Sequence, residues 1–183
     1  RRNQIGVTQD YVLVMDTAFF VEGQQFGDPS YAAAQEPDTV IYIIRRDDLS
    51  SGSDEGGARR VVIEREAAHF LCDYENPDGK ITLHLAHNCA SDASEWVRED
   101  DILFGSGDEV RQDLAGTPTT GTDIGILARH TIDGDSGELV ESQLVWDPEF
   151  TWSAALYAHK GAHPPGRFED IYWISTGFSD DRL

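Results

Sequence analysis

Short apolar runs recur along this chain, each cut off by Gly, Asp, Asn or Pro, and within each run apolar and polar positions tend to alternate. A period of two is the mark of a strand with one buried face, and Val, Ile, Tyr and Phe suit such a surface. The pattern predicts strands near residues 11–16, 39–45, 60–64, 67–73, 80–86, 124–130, 138–145 and 169–175. Ahead of the first strand, residues 2–8 read as a polar turn running into Thr8. A helical period lasts no more than a turn or two, with 92–98 the one weak candidate.

The connections carry their own signals. "NPDGK" at 76–80 places Asp-Gly between "HFLCDYE" and "ITLHLAH", a strong hairpin signature, and "DGDSGE" at 133–138 is a second turn. Segments 47–58 and 105–123 are long and polar and read as loops between sheets. "TVIYIIRRDDLSSG" from Thr39 resembles "TDIGILARHTIDGDSG" from Thr122: an apolar strand, an Arg, a short connection, then a Gly-bearing turn. Such a recurrence suits repeated antiparallel sheets like propeller blades. At about 40 to 60 residues per blade the chain holds three or four of them, fewer than a ring usually needs. The expectation is one all-β domain over 1–183, a partial propeller.

Composition narrows the classes of function. The chain has 183 residues, enough for one real core, with four Trp, six Tyr and eight Phe to fill it. Thirty-four acidic residues against 14 basic ones give a net charge of −20. That surface repels nucleic acid and anionic lipid, and it resembles the acidity of proteins from high-salt cytoplasm. Cys72 and Cys89 have no CxxC spacing; one bridge between them stays open, and two buried thiols are the favoured reading. No run approaches the ~20 apolar residues of a membrane helix, and Arg1 and Arg2 are followed by no signal-peptide core. A soluble, cytoplasmic protein is the expectation.

The histidines offer the first candidate chemistry. His84 and His87 have the spacing of a metal pair, but on a strand positions i and i+3 face opposite sides, which argues against a shared ion. His130, His159 and His163 lie in or beside polar sequence and read as surface residues; His69 opens an apolar strand and reads, by pattern alone, as a buried, hydrogen-bonded residue. No GxSxG, P-loop or GxGxxG is present. Asp133, Asp135 and Glu138 cluster in a turn but lack the spacing of an EF-hand, so a solvated turn is the expectation.

Several segments, kept in order over nearly the whole chain, resemble the carotenoid cleavage oxygenase family, with its apocarotenoid, lignostilbene and retinal-pigment-epithelium members. They are "QIGVTQDYVLVMDTAFF", "AAHFLCDYENPDGKITLHL" with His69, Tyr74, Glu75 and Gly79, "ILARHTIDGDSGELVESQLVWDPEF" ending on Glu149-Phe150, and "GRFEDIYWISTGF". The resemblance implies a seven-bladed β-propeller with Fe(II) on its axis, held by four histidines. Members use that iron and O₂ to cleave a conjugated carbon–carbon double bond into two carbonyl products. His69 matches one iron ligand, Glu149 an outer glutamate that orients a ligand, and Thr8 and Tyr11 structural strand positions. Counting back from Thr8, another ligand histidine falls at position 3, where this chain has Asn3. The remaining two would precede residue 1 and follow residue 183, so the chain resembles an internal section, inactive alone.

Three functions are therefore weighed. The first is an iron-dependent oxygenase acting on an apolar polyene or stilbene with O₂, completed by the rest of its own propeller. The second is a non-catalytic propeller-type binding module whose metal site has decayed, with Asn3 as its sign. The third is an acidic all-β hydrolase or sugar-binding domain, suggested only by Trp and carboxylate content. Membrane docking is usual for enzymes of apolar polyenes, and the charge of −20 opposes it on anionic lipid.

Overall fold

The computed structural model describes residues 2–16, 23–28, 37–50, 57–87, 97–102, 107–117, 125–147, 155–158 and 166–174. Two antiparallel four-stranded meanders dominate it. The first runs β1 (Arg2–Val7), β2 (Tyr11–Asp16), β3 (Asp38–Arg45) and β4 (Arg59–Glu64), with the one-turn helix α1 (Arg46–Ser50) after β3. The second runs β5 (Ala67–Cys72), β6 (Lys80–His87), β7 (Ile126–Asp133) and β8 (Leu139–Val145). A hairpin of β9 (Ala155–Ala158) and β10 (Ile171–Ile174) forms a two-stranded sheet, with β9 beside β5. Among the described residues no sheet closes on itself. Among the described residues no helix is long and apolar enough to cross a membrane.

Alternation builds the core. In the first sheet Tyr11, Leu13, Met15, Ile41, Ile43, Val61 and Ile63 all turn to one face. They share one cluster with Ala67, Phe70, Ile81, Leu83, Leu85, Ala128 and Ile132 of the second. Each of the larger aliphatic side chains contributes about 1.5–3 kcal/mol by leaving water, so this shared face is what holds the two meanders together.

Turn chemistry sets the connections. At the β1–β2 turn Thr8 is fully buried; its Oγ1 accepts from Tyr11 N–H at 3.0 Å and donates to Tyr11 O at 3.2 Å. Between β5 and β6, Asp78 and Gly79 both take positive φ, +55° and +71°, as the Asp-Gly pair predicts. Arg65 also takes positive φ, at +74°. It carries the chain from one sheet to the other and is clamped from β3 by Thr39 Oγ1 donating to its carbonyl at 2.9 Å.

The two sheets meet closely at their turns. Within the second sheet Gly134 N–H donates to Gly79 O at 3.0 Å, and against the first a Cβ on Gly134 would stand 2.3 Å from the Tyr11 ring. Tyr11 OH donates to Asp135 Oδ1 at 3.1 Å, and Arg45 also pairs with Asp135, so the β7–β8 turn is tied to β2 and β3. Along β1, a Cβ on Gly6 would meet the Phe70 ring at 2.6 Å. Glycine there lets β1 lie against β5.

Eight predicted strands are present, with ends shifted by up to three residues. Residues 2–7, expected as a turn, are strand β1. Its alternation is spoiled by Gly6 and by a register shift between Arg2 and Gln4, and pairing with β2 holds it instead. Strand β9 and helix α1 were not expected either, and α1 overlaps the start of the 47–58 loop. The weak helical candidate 92–98 is described only at 97 and 98, which are not helical.

Candidate functional site

The two positions that the resemblance singles out as ligand positions lie on β1 and β5, strands in contact with each other. In β1 the register against β2 shifts between Arg2 and Gln4, so Asn3 occupies the irregularity. In β5 it shifts between Ala67 and His69. Bulges of this kind kink a strand and re-aim a side chain, and they gather beside functional sites. The seam is fixed by one amide: Phe70 N–H donates to Gln4 Oε1 at 2.9 Å, and Gln4 Nε2 donates back to Phe70 O at 2.5 Å. Asn3 and His69 therefore each stand one residue upstream of a residue locked to the other strand.

His69 is exposed, against the expectation from its apolar strand that it would be buried and hydrogen-bonded. The register shift at the start of β5 is the reason: Phe70 takes the core position, 1% exposed, and the ring before it turns outward. Among the described residues no hydrogen bond or ion pair holds the His69 ring. An exposed neutral imidazole is a suitable donor for Fe(II), but a single one does not hold it. Glu149, Cys89, His159 and His163 lie outside the described residues. Among the described residues no group of three or more His, Cys, Asp or Glu could hold a metal ion.

A second arrangement was not foreseen. His130, expected at the surface, is 4% exposed, and His87 is 1% exposed. Their Nε2 atoms are 3.2 Å apart. His87 Nδ1 lies 3.2 Å from the Glu66 carbonyl, and His130 Nδ1 lies 2.8 Å from Ser142 Oγ. A carbonyl only accepts, so His87 carries its proton on Nδ1 and its Nε2 accepts from His130 Nε2–H. His130 Nδ1 then accepts from the Ser142 hydroxyl. Each neutral tautomer is thus set by the next partner.

A serine on a histidine oriented by a third group is the outline of a nucleophilic triad, and Ser142 is exposed. The electrostatics oppose that use. Burial, the His87 ring and the Arg65 guanidinium push the His130 pKa down to about 4, and burial likewise lowers that of His87. A general base must become an imidazolium, which is the form this site disfavours. The relay is a clamp joining β6, β7 and β8. Period two in Ala128, His130 and Ile132 was the signal that His130 points inward.

His84 serves a different contact from His87. Its Nε2 lies 3.1 Å from Asp73 Oδ1, which also accepts Phe168 N–H at 3.0 Å, and its ring meets Phe168 edge-on at 5.8 Å. Cys72 is half-buried, and burial pushes its thiol up to about 11, which leaves it unreactive. The Asp133 carboxylate accepts from Asp135 N–H, Ser136 N–H and Ser136 Oγ, as in an Asx turn, and those bonds hold its pKa below the usual range.

No family model, no curated protein and no solved structure matches this chain.

Proposed function

We propose that the chain is a section of an iron(II)-dependent oxygenase-like protein that cleaves a conjugated double bond of a carotenoid, apocarotenoid or stilbene. His69 supplies one of its iron ligands. The observation that carries this reading is the β1–β5 seam. Two positions, picked out by resemblance from segments more than sixty residues apart in the chain, lie on neighbouring strands at matching irregularities, tied by the Gln4–Phe70 bonds. The antiparallel meanders suit two blades of a propeller, each led by its ligand-bearing strand, β1 or β5. Iron would supply O₂ activation when bound; the described residues contribute one imidazole toward it, so the chain alone is inactive.

A second reading is favoured by Asn3. An amide is a poor iron ligand beside imidazole, so the same geometry suits a propeller-type binding module with a decayed metal site. The two part in one experiment: iron content and Fe(II) affinity of the longest natural chain carrying this section, with Asn3→His and His69→Ala beside it. The oxygenase reading expects about one tight iron, lost in His69→Ala. No iron in the natural protein and recovery in Asn3→His selects the decayed module. No iron in any of them leaves a likeness of fold only and defeats both metal-based readings.

A further inference from the structure

The two meanders end in very different edges. Strand β4, the last of the first sheet, carries Arg59, Arg60 and Glu64, the charges that guard an open edge. Strand β8, the last of the second, is exposed at all seven positions, and its one charge is Glu141. Leu139, Val140, Leu144, Val145 and the following Trp146 are all large, apolar and exposed. Among the described residues nothing pairs with the outer edge of β8.

The sequence of β8, Leu-Val-Glu-Ser-Gln-Leu-Val, reads nearly the same in both directions. An antiparallel pair related by a two-fold axis through Ser142 sets Glu141 opposite Gln143, twice, in the regular run that follows the register shift at Val140, and brings Leu139 and Val140 of each copy against Leu144 and Val145 of the other. Every apolar residue then meets an apolar one, and the carboxylate meets an amide donor. Within one chain Gln143 Nε2 already donates to Glu141 Oε1 at 2.9 Å, so both side chains project from the same face and can exchange partners across the axis. A shift of the axis by one residue, to Gln143, would put Glu141 against Val145 and lose that match.

We propose that a second copy of this chain pairs with the first through β8, antiparallel about a two-fold axis at Ser142, to give a continuous eight-stranded sheet. Such an interface is isologous and closes at two copies. The net charge of −20 on each copy opposes association until salt screens it, so the dimer forms more tightly as ionic strength rises.

The test is sedimentation equilibrium of the full 183-residue chain from low salt to about 1 M, with Gln143→Glu and Gln143→Lys compared at about 0.15 M, where the Debye length is about 8 Å. Both substitutions fall on an exposed edge and leave the fold intact. Gln143→Glu opposes two carboxylate pairs across the axis and should weaken the dimer about fivefold or more, while Gln143→Lys should tighten it by a similar factor. Ser142→Cys should cross-link to its own copy on oxidation, and Gln143→Cys should not. A chain monomeric at every salt concentration, or a dimer indifferent to residue 143, overturns the proposal. Slow amide exchange along the outer edge of β8 in a monomer also overturns it, since it means a segment of the same chain covers that edge.

Discussion

At the scale of single residues, close approach and desolvation decide more than charge. Gly134 sits where the β7–β8 turn crosses the Tyr11 ring, and its Cα faces that ring with no room for a methyl group. Gly134→Ala should cost about 2–3 kcal/mol in urea unfolding, because the turn must lift off the first sheet. Gly27→Ala, with nothing within 4 Å, is the matched control and should stay within about 0.5 kcal/mol. The His87–His130 pair makes a prediction in pH. Both folded pKa values are depressed, His130 to about 4, while an unfolded histidine titrates near 6.5. Below about pH 6.5 the unfolded chain takes up protons that the folded pair refuses, so stability falls as pH drops and this contribution levels off near 4. Thermal melts across pH 4–7 should show that slope, and His130→Gln, which keeps a donor for His87, should flatten it.

At the scale of elements, the strand least legible in sequence depends most on a neighbour. β1 pairs with β2 on one side, and on the other its Gln4 amide satisfies both backbone groups of Phe70. Gln4→Ala leaves the Phe70 N–H and carbonyl without those partners and should cost about 1–3 kcal/mol. Hydrogen exchange should show the loss at Phe70 first, while β3 and β4 keep their protection. A uniform loss across both sheets would mean that the amide carries no local role. The β7–β8 turn is held differently, by Asp135 against Tyr11 and Arg45, and burial together with the Asp135 bond raises the Tyr11 pKa. The seam and the turn lie on different strands, so their substitutions should add in a double variant.

At the scale of the whole molecule, the charge of −20 is the dominant long-range force. Like charges repel most in the compact state, and raising salt from 0.05 M to 1 M shortens the Debye length from over 10 Å to about 3 Å. The melting temperature should rise by about 2–4 °C, roughly 1 kcal/mol. Screening does not distinguish Na⁺ from K⁺, so equal curves in the two salts are expected. A strong preference for one cation would point instead to a specific ion site.

Alternation, turn chemistry and charge were all readable along the chain. A period of two in Tyr11, Leu13 and Met15, or in Ile41 and Ile43, marks a buried face wherever the partner sheet lies, because successive side chains on a strand leave opposite faces. Asp78-Gly79 marks its turn because few other pairs tolerate two positive φ values. Excess carboxylate is a sum over composition and needs no fold. The site was legible only in part. His69 was singled out by resemblance, but its exposure depends on a register shift set by β6, and sequence alone does not encode which partner a strand meets. His130 looked polar in context and is buried, because β6 and β8 supply the hydrogen bonds that make burying an imidazole affordable. What tertiary structure decided was which groups lie across from one another: Gln4 with Phe70, Asp135 with Tyr11, His87 with His130. Those pairs join residues 43 to 124 positions apart, and no local pattern carries information over that distance.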